Sequence, residues 1–510
     1  MKTIKFIICV IIITLLAKLS FANSAKQNEA QNLIRAALEA LGGEAKLREL
    51  KSIQFEGIGH NFWVEQSERP EGPWIVGYIQ TSETRDLVNN RVRIINQTRH
   101  FQSPNWSPEL ATIVTTDASA FERTGSYFPN SKIQAQGTLK NLALAPEKVL
   151  FNALEAKDLR IEKEIELQNV RQKVVKFTWN QIPVTLYLNT HTNLPTAVET
   201  LEYSLYEHFN SIWGDFTTRT YYSLWNLETG GLRYPHQWDT EKFGKNVSSF
   251  TVTKLQLNVP VKEEQFNIPD DIKQKFTAQP LNKIADLPLG SASNPAKEIA
   301  PDVVKIAGRW DVAFVKQNDG IVIIEAPIGS GYSVKVLEEA KRRFPDSKVK
   351  AVITTSDAFP HLGGVREYAA QGIPIYALDV NRPILERVLA APHTFQPDTL
   401  QKKPRKANFK IISGKTLLGD GANRLEIYPI RSESGERMMM VYFPEHKLLY
   451  ASDLVQKQRN GTFFMPQYLT EIIQATTREK LQVNNVFAFH TEMIPWSEVT
   501  TAVEKAVAEK

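Results

Sequence analysis

Apolar positions along this chain follow three successive rhythms. Over Glu29–Leu50 they fall at Leu33, Ala37, Leu41, Leu47 and Leu50, interrupted by Gly42-Gly43. That spacing predicts one amphipathic helix and a short second turn. From Ser52 to about Pro269 the rhythm shortens. RVRIINQT, KVVKFTWNQIPVTLYLNT and FTVTKLQLNV alternate or run β-branched and aromatic, with turn residues between them, which predicts a largely stranded region. YYSLWNLETGGLRYPHQWD reads as a hairpin turning at Gly230-Gly231. Phe276–Ala300 is rich in Pro, Ala and Ser without periodicity and reads as a linker.

From about Pro301 strand-like and helix-like stretches alternate. WDVAFVKQNDGIVIIEAP predicts a hairpin with Asp319-Gly320 near its turn. Tyr332–Phe344 has helical spacing, Val349–Thr355 reads as a buried strand, and Gly364–Gln371 as a helix. IPIYAL predicts a strand, NRPILERVLAA a helix and MMMVYFPEHKLLYASD a strand pair, and KLQVNNVFAFH closes the series. Strands with helices between them imply a layered domain. No internal repeat or low-complexity tract occurs.

The first 22 residues combine Lys2 and Lys5, the apolar Ile7–Leu16 and a small-x-small Ser20-Phe21-Ala22. They read as a cleaved secretory signal, with no later stretch apolar enough to span a bilayer, and place the mature chain in the periplasm or outside the cell. The one cysteine, Cys9, falls inside that segment, so the mature chain is expected to hold no disulfide and no thiolate ligand. The whole chain carries 61 Lys+Arg against 56 Asp+Glu, a formal +5. Losing Lys2, Lys5 and Lys18 brings this to +2, which gives no argument for a nucleic-acid partner. The basic run KKPRKANFK at Lys402–Lys410 reads as a solvated loop.

Candidate chemistry centres on VKAVITTSDAFPHLGG, Val349–Gly364, where a strand passes through a loop to a histidine and a Gly-Gly pair. The segment resembles the metal-binding loop of the metallo-β-lactamase superfamily, His-x-His-x-Asp-His followed by Gly-Gly. The likeness extends over Pro301–Lys510. The Asp319-Gly320 hairpin ending in IIEAP resembles the family's opening strands, MMMVYFPEHKLLYASDL its later hairpin, and VFAFHTE the segment with its last histidine. Aligned on His361, Ser356, Ala358 and Pro360 stand where the family has His, His and Asp, and Ser434 stands at another histidine position. What persists is His361, Asp453 as the bridging carboxylate, and His490. The resemblance therefore implies that one metal site is lost and that His361, Asp453 and His490 could hold at most one zinc or iron ion, or none. Two histidines and a carboxylate suffice for one such ion, which would activate water beside Asp453. Asp357 is a neighbouring carboxylate whose backbone position aims it elsewhere.

The region from the first helix through ALGG and the long strands to VPVKEEQFNIP resembles the outer-membrane lipoprotein-carrier group, in which a curved antiparallel sheet wraps a helix. The expected class is α+β with two domains: signal 1–22, a β-rich curved-sheet domain 23–275, a linker 276–300, and an αββα metallo-β-lactamase-like sandwich 301–510. Two functions stay open. One is a divergent one-metal hydrolase. The other is a non-catalytic pseudoenzyme binding a small or lipid-like molecule, its cleft kept for that purpose. Other catalytic patterns fail: there is no His-Glu-x-x-His and no Gly-x-Ser-x-Gly. Ser413-Gly414-Lys415-Thr416 has Phe409 where a phosphate loop begins with glycine. His60, His100, His191, His208, His236, His393 and His446 are scattered without ligand spacing.

Overall fold

The structure, a computed structural model, describes residues 26–64, 72–101, 103–206, 209–291, 293–308 and 310–508. The signal segment and Cys9 lie outside these residues, as does His208. The chain divides into two compact units. The first comprises 1–62, 76–202 and 216–280, and the second 63–75, 203–215 and 281–510. The stretch read as a linker carries the end of the helix Asp270–Ala278, a turn at Ile284–Asp286 and the strand Lys297–Ala300.

The first unit is built on one antiparallel sheet of thirteen strands, running from Ser126–Pro129 at one edge to Arg160–Leu167 at the other. Neighbours in the sheet are neighbours in sequence, except where Ser52–Phe62 pairs with Lys245–Leu257. The expected hairpin forms, with Leu227 opposite Arg233 and both Gly230 and Gly231 at positive φ. A helix over 26–40 places Ala30, Ile34 and Leu38 in the core, Leu41 follows in the turn after it, and Pro146–Glu155 adds Val149, Leu150 and Ala153. Their partners include Phe55, Phe177, Leu186, Val198, Tyr222 and Val252. These come from strands far apart in the sheet, so the sheet must curve around the helices to bring them into one core. The helices Lys132–Ala143 and Pro146–Glu155 stand inside the region whose pattern reads as strand. Lys132–Ala143 buries only Ala135 and Leu142 and carries Gly137 at its centre, so its periodicity is faint.

The second unit stacks two sheets. One has seven strands between Lys297 and Ile412, the other six between Thr416 and Pro495. Val315, Val322, Ile324 and Ile353 of the first meet Ile427, Val441, Phe443 and Phe487 of the second in one apolar layer. The strands Gly320–Ile324, Val349–Thr354, Ile375–Leu378 and Phe409–Ile412 run parallel, linked by helices; the first two are buried on both faces for most of their length, which accounts for their continuous apolar runs, whereas the edge strand Phe409–Ile412 is partly exposed. Helices Pro466–Arg478 and Trp496–Ala508 cover the outside of the six-stranded sheet through Leu469, Ile472 and Val499. Ser330–Arg343 and Val365–Gln371 contact the other. The result is a helix–sheet–sheet–helix sandwich. Among the described residues no helix is long and apolar enough to cross a membrane.

A buried arginine ties this unit together. Arg366, 2 % exposed, grips Asp398 through Nε at 2.6 Å and Nη2 at 3.1 Å, and its Nη1 donates to the carbonyls of Val388, Leu389 and Ala391. These carbonyls lie at the C-terminal end of the helix Arg382–Ala390, where among the described residues only that of Val388 takes a backbone N–H, from Ala391 at 3.3 Å. His393, 3.8 Å from Asp398, is buried beside them. Burial, reinforced by Arg366 and opposed by Asp398 and Asp215, lowers its pKa from 6.5 to about 4. A depressed histidine is neutral in the native state while the unfolded chain takes up a proton, so stability falls as pH drops from about 6.5 towards 4. The shift is worth about 3 kcal/mol at most. Urea unfolding of the native protein and His393→Gln at pH 7.5 and 4.5 should show a smaller acid loss in the variant. Equal losses would assign the acid sensitivity elsewhere.

Candidate functional site

The ends of four strands in the second unit deliver the candidate residues. Glu325 follows Gly320–Ile324 at a φ of 76°, held there by its N–H to the Ile353 carbonyl at 2.9 Å. Loop 355–358 follows Val349–Thr354 and leads into the short helix Phe359–Leu362, which carries His361. Asp453 comes after Leu448–Tyr450, and His490 after Asn485–Ala488. The Gly363-Gly364 pair has a steric reason. A Cβ on Gly363 would stand 2.4 Å from the Ile328 carbonyl oxygen, and one on Gly364 2.0 Å from the Ser333 hydroxyl. Two missing side chains let this helix seat directly against the loop after Glu325.

The side chains form a chain of contacts. Thr355 donates its hydroxyl to Glu325 Oε1, and the Tyr450 hydroxyl donates to the same oxygen at 3.0 Å. Glu325 Oε2 lies 3.0 Å from His361 Nδ1. His361 Nε2 lies 2.7 Å from Asp453 Oδ2. Asp453 Oδ1 is 3.5 Å from His490 Nε2 and, although buried, makes no hydrogen bond among the described residues. Phe489 stacks on the His361 ring at 3.7 Å between centroids, and Trp310 meets His490 edge-on at 5.0 Å. Glu325 and His361 are sealed from solvent, whereas the His490 side chain is 32 % exposed.

Charge follows from this arrangement. Burial by itself would discharge His361, but Asp453 and then Glu325, one on each ring nitrogen, outweigh it and push its pKa up to about 10. Burial would raise Asp453, yet the His361 imidazolium holds it below the ordinary carboxylate range. For His490 burial prevails, aided by His361 and opposed by Asp453, and its pKa is lowered. A buried cation thus sits between two carboxylates, with a neutral imidazole at the rim.

The structure brings His361 and His490 each against Asp453. Ser356 is buried and accepts the Ala358 N–H at 3.2 Å. The Ser434 N–H is taken by Glu471 at 3.1 Å, and the Pro360 carbonyl accepts from Ile328 at 3.0 Å. None of these positions supplies an imidazole. Among the described residues no three His, Cys, Asp or Glu side chains are grouped to hold a metal ion. Both His361 nitrogens are engaged by carboxylates, so the donor set does not fit a metal in this arrangement. Glu325, Phe489, Trp310 and Tyr450 are not marked as site residues by any motif. The one available signal was the carboxylate closing the apolar run IVIIE.

No protein-family model matches the chain, and no curated protein matches it. Among solved structures, a metallo-beta-lactamase from Pontibacter korlensis is 15 % identical, covering 41 % of this chain and 96 % of its own, with a TM-score of 0.32. A metallo-beta-lactamase from Erythrobacter litoralis is 10 % identical over 42 % of this chain and 96 % of its own, with a TM-score of 0.33. A stereoselective inverting sec-alkylsulfatase from a Pseudomonas species is 14 % identical over 41 % of this chain and 40 % of its own, with a TM-score of 0.32. At these scores no residue role is carried over from them.

Proposed function

We propose that this chain is an exported binding protein of the cell envelope, hydrolase-like in the layout of its second unit but without turnover there. The observation that supports this is the engagement of His361 on both sides, 3.0 Å from Glu325 and 2.7 Å from Asp453. A histidine acts as a base or a ligand through a free ring nitrogen. Here both nitrogens face carboxylates, and among the described residues no hydroxyl hydrogen-bonds the ring. The site is arranged as a salt-linked clasp joining three strand ends.

One observation favours a second reading. Asp453 Oδ1 is buried without a donor and has His490 beside it, which is where a divalent cation would find a charge and a lone pair. A zinc or iron ion on His361, Asp453 and His490 would require His361 to release Asp453. Metal analysis of the mature protein, purified without chelator or affinity metal and again after incubation with zinc, decides between them. Substoichiometric metal in both samples, with no hydrolysis of esters, lactones or phosphodiesters, is the expected result. About one ion per chain, lost in His490→Ala, would overturn the binding reading in favour of a one-metal hydrolase.

A further inference from the structure

The first unit encloses a cavity of about 420 Å³, within the range of small-molecule sites (about 300–1,000 Å³). Its sheet wall is graded, and the gradient follows from strand periodicity. On Arg233–Lys242, alternate residues Trp238, Thr240 and Lys242 line the cavity. On Asp215–Leu227 the lining residues are Tyr222, Thr220 and Thr218. The antiparallel register sets Tyr222 opposite Trp238, Thr220 opposite Thr240, and Thr218 opposite Lys242. The strand Lys245–Leu257 extends the first two rows. Val198, Thr200 and Glu202 also line the cavity at alternate positions, and Phe250 and Ser248 pair with Trp238 and Thr240. The wall therefore passes from an apolar, aromatic row through a row of hydroxyls to a charged row.

The charged row is incompletely paired. At the aromatic end Arg85 is fully compensated, with Glu83 at 2.6 Å and Glu147 at 2.8 Å. At the polar end Lys140 from the overlying helix pairs with Glu202 at 2.7 Å. The Lys242 ammonium makes no ion pair or hydrogen bond among the described residues, although against burial its charge, with Lys140, helps to hold Glu202 below its usual range. The hydroxyl of its cross-strand neighbour Thr218 is buried and has no hydrogen-bond partner. One cation and one hydroxyl without partners, adjacent on the cavity wall, are what an anionic group would complete.

We propose that this cavity binds a single-chain amphiphile with one anionic head, the head at Lys242 and Thr218, and the aliphatic chain running past the threonines onto Trp238, Phe250 and Tyr222. The inference deepens the binding reading by naming a ligand class and rests on it. A head of fixed charge and a tail of limited length also explain why the wall changes character along the strands instead of being apolar throughout, as a purely apolar ligand would favour.

The test is calorimetric titration of the full-length protein with decanoate, decyl phosphate and decanol. Saturable binding of at least one anion is expected, tighter than decanol, with the stronger of the two identifying the head as carboxylate or phosphate. Lys242→Gln should weaken the anion about tenfold and leave decanol binding unchanged. Thr220→Val, on the opposite side of the hydroxyl row, serves as a second variant, expected to weaken all three ligands modestly. Absence of saturable anion binding, equal affinity for decanol, or an unchanged anion affinity in a Lys242→Gln protein that melts like the native one would each overturn the proposal. Hydrolysis at the second unit would overturn the binding reading independently, because it is read as product and not as heat of binding to this cavity.

Discussion

Replacing His361 by alanine is expected to destabilise the second unit by about 3–5 kcal/mol. The substitution removes the cation between Glu325 and Asp453 and the ring stacked on Phe489. Two carboxylates, Glu325 fully buried, would then face each other without the imidazolium between them, with only His490 left beside Asp453. Glu325 would keep its bonds from Thr355 and Tyr450, so the loss should fall short of that for a bare buried charge. Adding Glu325→Gln to His361→Ala should restore part of the stability, because the double variant buries one charge fewer. Urea unfolding of the single and double variants measures both effects. A single-variant loss below about 1 kcal/mol, the range of an exposed pair, would show that His361 does not carry the clasp.

Arg366→Met should produce a loss of similar size, about 3–5 kcal/mol, by a different route. Methionine keeps much of the stem volume but removes the charge paired with Asp398, which retains the Ser330 hydroxyl and the Gln401 N–H, and strands the carbonyls of Leu389 and Ala391. The C-terminal end of Arg382–Ala390 would lose its cap together with an ion pair. Lys at the same position should recover only part of the loss, because an ammonium cannot hold Asp398 with two parallel bonds while reaching three carbonyls. Hydrogen exchange should show fraying concentrated in residues 385–393. Uniformly faster exchange throughout the unit, with that segment no worse than the rest, would assign Arg366 a general packing role.

Much of this architecture was readable from spacing alone. Gly230-Gly231 and Asp319-Gly320 mark hairpins because few other residues suit the positive φ their turns need, and both hairpins form. The continuous apolar runs of the second unit are legible because its parallel strands are covered on two faces. Lys132–Ala143 was not legible, since it has only two buried residues and most of the rest are half-buried, including polar positions over the cavity, which leaves no apolar stripe. At the site, His361, Asp453 and His490 could be named from motif positions, and the structure places them in contact. Their roles as metal ligands are a matter for the metal analysis. Glu325 could not be named, because its importance arises only when the strand end, the Gly363-Gly364 seat and Tyr450 meet from distant parts of the chain. Lys242 was equally hidden: its lack of a partner is a property of the cavity rather than of any local pattern.

The thirteen-stranded sheet has two free margins, and each is guarded differently. Ser126–Pro129 is only four residues long, ends in proline and is touched by the helix Asp270–Ala278. Arg160–Leu167 is long enough to recruit a strand from another molecule, but it presents Arg160, Glu162, Lys163, Glu164 and Glu166. Stacking such margins would set like charges against each other in some registers and would strip water from all of them. The sheet can thus remain an open one, curved around its cavity, and the protein is protected from polymerising through its backbone when it is concentrated.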